Sequence, residues 1–138
     1  MSNRAKDIPK GSLYIRGIDQ ENIHSQIETD LQNIFLILRK FPNYGVQSTA
    51  VSYTATTSDY VIAVTSTASA RTITLPLAGN FEKGQLLIIK DESGAANVNN
   101  ITIDASGAEV IDGAATKVIN TAYGSATLYS NSVSWFSV

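Results

Sequence analysis

The stretch DQENIHSQIETDLQNIFLILRKF, residues 19–41, is the one segment of the 138-residue chain whose apolar positions keep a sustained helical period. Ile27, Leu31, Ile34, Leu38 and Phe41 recur at alternating spacings of four and three, which lines them up on one seam of a helix that faces a partner helix. With Leu31 and Leu38 at a positions and Ile27, Ile34 and Phe41 at d positions, the seam combines Leu at a with Ile at d, a choice that favours three or four strands over two. A parallel coiled-coil trimer is the expected assembly. Asp19 is placed to accept the orphan amides of the first turn, and Arg39 and Lys40 complement the negative end of the helix before Pro42 and Gly45 stop it. Ile23, Phe35 and Ile37 widen the stripe enough for an ordinary amphipathic helix packed on its own domain, but no second helical pattern follows to receive it.

Working outward, charge divides the chain. Half of the charged side chains fall within residues 1–43, and the 95 residues from Tyr44 onward carry the rest in a background of Ser, Thr, Ala, Asn and Gly. Three parts follow: an N-terminal segment 1–18, a helix with its exit turn at 19–43, and a domain at 44–138. The first part is polar and basic through Arg4, Lys6, Lys10 and Arg16. It then places Leu13, Tyr14 and Ile15 together, the profile of a segment that orders on another surface. A disordered leader with a hydrophobic staple onto the helix start is the other reading.

From Tyr44 the apolar period drops to two. TITLPL at 72–77 alternates as a half-buried strand whose Pro76 suits an edge or a strand end, and Leu86, Leu87, Ile88 and Ile89 run continuously, as in a strand covered on both faces. Further short strands are expected at 101–104, 109–112, 116–120, 123–130 and 132–138, separated by turn residues such as Ser106-Gly107 and Asp112-Gly113. Nine or ten short strands without intervening helices predict an antiparallel β-sandwich or barrel. The fold class is therefore mainly β with one N-terminal helix.

The succession SDYVIAV, TITLPLA, GQLLIIKDESG, NNITIDASGAEVIDGA and YGSATLYSNSVSWFSV, spanning roughly residues 51–138, resembles the small β-domains of fibre, spike and appendage proteins of tailed bacteriophages. Where such domains carry Gly after the N-I-T-I-D strand, this chain has Ala105. The resemblance implies a homotrimeric virion protein, a head fibre, tail fibre or capsid decoration, assembled in the host cytoplasm and held to other virion proteins of the capsid or tail. Residues 1–18 are the expected anchor. A receptor-binding tip that recognises a host surface glycan is the alternative.

Other functions find little support in the residues. His24, the single histidine, falls at an a position of the seam, where a polar residue helps fix register, so histidine-dependent catalysis would need a side chain committed to packing. The acids Asp91, Glu92, Asp104, Glu109 and Asp112 lie beside turns and match no EF-hand spacing. There is no GxGxxG, GxxxxGK[ST] or HExxH, and no cysteine; no enzyme activity, metal or cofactor is expected. A net charge of −2 with mixed signs gives no footprint for nucleic acid, and no apolar run is long enough for membrane insertion. Tyr123, Tyr129, Trp135 and Phe136 are the candidates for a glycan or subunit contact. Because neighbours on a strand face opposite ways, one of Trp135 and Phe136 fills the core and the other points out.

Overall fold

A computed structural model describes residues 20–38 and 44–138, which fall into two units, Met1–Phe41 and Pro42–Val138. In the first unit α1 runs from Gln20 to Leu38. Its exposed face carries local pairs one turn apart: Gln26 Nε2 donates to Asp30 Oδ1 at 2.9 Å, Thr29 Oγ1 to the Ser25 carbonyl at 2.9 Å, and His24 lies 3.2 Å from Glu28. The expected cap at Asp19 and the stop signals at Arg39, Lys40 and Pro42 lie outside the described residues.

The second unit holds nine strands among the described residues: β1 Val46–Thr49, β2 Tyr53–Thr54, β3 Val61–Val64, β4 Arg71–Thr74, β5 Leu86–Asp91, β6 Ile101–Asp104, β7 Thr116–Ile119, β8 Ser125–Ser130 and β9 Trp135–Ser137. They form a five-stranded sheet in the order β1-β3-β5-β8-β9 and a four-stranded sheet in the order β2-β4-β6-β7. The sheets stay open, so this is a sandwich and not a closed barrel.

The antiparallel expectation is corrected here. Four of the seven strand pairings are parallel: β1 with β3, β3 with β5, β2 with β4 and β4 with β6. Parallel neighbours need a crossover between them, most often a helix. In this chain the crossover is a strand of the opposite sheet, so β1 to β6 alternate between the sheets in three turns of a coil. Only at the end do β6–β7, β5–β8 and β8–β9 close antiparallel. A short link to the opposite sheet and a hairpin both look like a few turn residues between apolar runs, which is why spacing suggested hairpins.

Several local expectations shift with the topology. β4 is interior to its sheet, and Pro76 falls beyond its last residue, where no ladder donor is lost. Residues 109–112 form no strand; Ile111 makes single bridges to Ala114 and to Trp135. Ala105 is buried, and the left-handed position of the turn that follows is taken by Gly107 at φ +63°.

Pleating sends alternate residues inward, and one core collects them from both sheets: Ile62, Val64, Leu87, Ile89 and Leu128 from the larger, Ile73, Ile101, Ile103 and Ile119 from the smaller. One end is closed by Trp135, fully buried against Phe81 at 4.9 Å between ring centroids, with its indole N–H donating to the Pro76 carbonyl at 3.3 Å. Ser130, also buried, donates to the Ala78 carbonyl at 2.7 Å, and Glu109 accepts the Ala78 amide through both carboxylate oxygens. Outside the core, Asp59 closes the turn before β3 by accepting from the Thr56 amide at 2.7 Å and from the Tyr53 hydroxyl at 3.1 Å. Burial, followed by the charge of Asp59, holds the Tyr53 phenol above its ordinary pKa.

The other end depends on Asp91, the fully buried last residue of β5. Its Oδ1 accepts from the Ser93 amide (2.9 Å), the Ser93 hydroxyl (2.6 Å) and the Gly94 amide (3.1 Å), while Oδ2 accepts from the amides of Ala96 (3.0 Å) and Tyr123 (3.1 Å). Since Ser93 spends its single hydroxyl hydrogen on the carboxylate, Thr67, 2.6 Å away, must be the donor to Ser93. Desolvation, the largest influence on the carboxyl, pushes its pKa up, but the bonds from Ser93, Ala96, Tyr123 and Gly94 together outweigh it and hold the pKa below the usual carboxylate value. Gly94, at φ +73°, lies directly under the Tyr123 ring, leaving no room for a Cβ.

Asp91→Asn, which places an NH2 group among donors, is expected to cost about 3 kcal/mol of folding stability by denaturant titration. Because the folded-state pKa is depressed, the stabilisation from ionised Asp91 is complete above the unfolded value of about 3.9 and is lost as pH falls below it through the folded value. Asp91→Asn should flatten that part of the stability–pH curve relative to wild type. Gly94→Ala combines a positive φ with a clash and should cost about 2 kcal/mol, with Gly107→Ala, whose surroundings are open, costing less.

Candidate interaction surface

Three surfaces carry the residues singled out from sequence. The first is the stripe of α1. Ile27, Leu31, Ile34 and Leu38 retain 46%, 50%, 51% and 56% of their surface open, and Phe35 and Ile37 flank them with 64% and 55%. His24 is turned to the exposed side-chain pair with Glu28. Phe41, the last seam position, lies outside the described residues, as do Arg4, Lys6, Lys10, Leu13, Tyr14, Ile15 and Arg16 of the expected anchor.

The second is the outer face of β8 and β9. Trp135 is withdrawn into the core, so it offers no ring to a glycan or a subunit. Its neighbour Phe136 points the other way and stacks on Tyr129, its register partner, with centroids 5.6 Å apart and planes at 27°. The strand pattern of the five-stranded sheet extends this face: Leu86 pairs with Tyr129, and Val46, Val61, Ile88 and Thr127 form the adjoining row. Tyr44 and Tyr60 add an edge-to-face pair at 4.9 Å just before β1 and β3. Leu86, Ile88, Val46 and Val61 were not anticipated as surface residues. The signal was present in the uninterrupted Leu86–Ile89 run, which leaves both faces of β5 apolar.

The third is the turn at Tyr123, a residue 64% exposed whose backbone, at φ +57°, serves the domain: the amide donates to Asp91 and the carbonyl accepts from Lys90 Nζ. Tyr123 and the Tyr129–Phe136 pair are separate features, with no shared ring contact among the described residues.

Three of the five acids are occupied individually. Asp91 and Glu109 bind backbone amides, and Asp112 accepts from the Ser137 hydroxyl and, at 3.0 Å, the Ser137 amide, with Lys117 Nζ at 3.4 Å. Those contacts, led by the Ser137 hydroxyl, lower the Asp112 pKa, and Lys117 also reaches Ser137 Oγ at 3.0 Å, tying β7 of one sheet to β9 of the other. Among the described residues no three His, Cys, Asp or Glu side chains are grouped to hold a metal ion, and no helix is long and apolar enough to cross a membrane. What the arrangement offers is apolar area. Neither a scan against protein-family models nor a search of curated proteins finds a match to this chain.

Proposed function

We propose that the chain is a structural protein of a tailed-phage virion, a homotrimeric head fibre or capsid-decoration protein. Residues 1–18 attach it to the particle, α1 joins the three copies, and the β-domains project outward. The observation that carries this reading is the open heptad stripe, Ile27, Leu31, Ile34 and Leu38, each about half exposed on a 19-residue helix. Helices in proteins gain most of their stability by burying such a stripe rather than from propensity. The phrases TITLPLA, GQLLIIKDESG and NNITID, similar to those of phage appendage domains, supply the virion context. A tail-fibre tip that binds a cell-surface glycan is the second reading. It is favoured by the outward Tyr129–Phe136 stack and the exposed Tyr123, since flat rings stack on sugars.

Light scattering on the purified chain should give three times the 14.8 kDa monomer mass, and a monomer at micromolar concentration would overturn the assembly reading. A chain lacking residues 2–18 should remain a folded trimer yet fail to cosediment with particles stripped of the native protein. Retained binding would move the anchor elsewhere. Reproducible hits on a glycan array, lost in Tyr129→Ala, would favour the second reading.

A further inference from the structure

The two sheets share one core but differ sharply on the sides that face away from it. On the four-stranded sheet the outward rows set by register are Thr54–Thr74–Asp104–Thr116 and Thr72–Thr102–Val118, six of the seven residues being polar. This is the polar outside expected of a sheet that meets water. On the five-stranded sheet the outward rows are Val46–Val61–Ile88–Thr127 and Leu86–Tyr129–Phe136, both mainly apolar, with Ser48–Ala63–Lys90–Ser125 as the polar margin. The outward side of the five-stranded sheet is thus the more apolar of the two.

We infer that the outer face of the five-stranded sheet is the surface on which the β-domains of neighbouring copies of this chain pack. The inference rests on the assembly reading of α1. Two features select a second copy as the occupant. The strand residues of this face include one charge, Lys90, whose ammonium is held by the Tyr123 carbonyl, so the face offers a charged partner little to recognise and presents mainly apolar area that a second copy can match. The face also begins at Val46, eight residues after Leu38, a stretch that spans at most about 28 Å. Copies joined through α1 therefore hold their sheet faces at an effective concentration of roughly millimolar, where even a weak apolar contact forms.

The chain has no cysteine, so single-cysteine variants of the full-length protein test this directly. Thr127→Cys reports the apolar face, in the row of Ile88, and Thr102→Cys reports the threonine face; both positions are half-buried within the chain itself. In the oligomer, a maleimide should react with Thr127→Cys about tenfold more slowly than with Thr102→Cys, as expected of a site open about a tenth of the time. Adding Leu31→Asp and Ile34→Asp should bring the two rates together as the mass falls to that of a monomer. Equal rates in an intact oligomer overturn this inference and leave the helix assembly standing. Protection of Thr127→Cys that persists in an oligomer carrying the helix substitutions overturns the helix reading while supporting the sheet contact. A wild-type monomer with equal rates overturns both.

Discussion

A single buried carboxylate fixes the point on which the β-domain turns. Asp91 ends β5, the middle strand of the larger sheet, which pairs parallel with β3 on one side and antiparallel with β8 on the other. An ion with no solvent exposure is costly unless its lone pairs are met, and five N–H and O–H donors meet them. Those donors come from two places, the 93–96 turn that carries the chain toward β6 and the Tyr123 turn that brings it back into β8. The same ion therefore sets both the exit to the opposite sheet and the return that reverses the pairing direction. No buried side-chain nitrogen or oxygen is left without a partner among the described residues, so the polar interior is complete.

The far side of the sandwich is held by smaller ties. Trp135 plugs the core, Ser130 and Glu109 satisfy the backbone at Ala78, and the Asp112–Ser137–Lys117 cluster links the β7 and β9 edges. Asp112 is partly exposed, so its charge pairing with Lys117 is screened and contributes little. Its geometric contribution is larger. It accepts the Ser137 amide and so pins the last strand, which would otherwise be a three-residue edge.

How much of this could be read from the residues depended on whether the information was local. Strand positions at TITL, LLII, ITID, TKVI and SATLYS follow from two-residue alternation and turn chemistry, both of which act within a few residues. The opposed directions of Trp135 and Phe136 follow from the pleat alone. Pairing direction is not local. Val61 finds Val46 on one side and Ile88 on the other, at unequal sequence intervals, so no repeat length announces the coil. β1 escaped notice because VQST has one buried residue in four, an edge strand with little apolar signal. Asp91 read as an ordinary turn acid, since burial of a carboxylate is decided by donors as distant as Tyr123. The candidate surface was half legible. Tyr129 and Phe136 stood out as aromatics, but their continuation through Leu86, Ile88, Val61 and Val46 exists only in the register.

The two units present the same physical problem at different scales. In α1 the stripe lies on an element that gains most of its stability by burying it, since nucleation is costly and propensity contributes less. The β-domain is different, because its core of interior Ile, Leu and Val is complete and its outer apolar rows are surplus to folding. A surplus apolar face on a folded domain is an aggregation hazard unless it is covered or diluted. On the four-stranded sheet this chain dilutes such a face with threonine, leaving Val118 as its one exposed aliphatic strand residue. Retention of Val, Ile, Leu, Tyr and Phe on the other side follows if water is not its neighbour in the assembled protein. The helix would then set which copies meet, and the sheet face how firmly they stay.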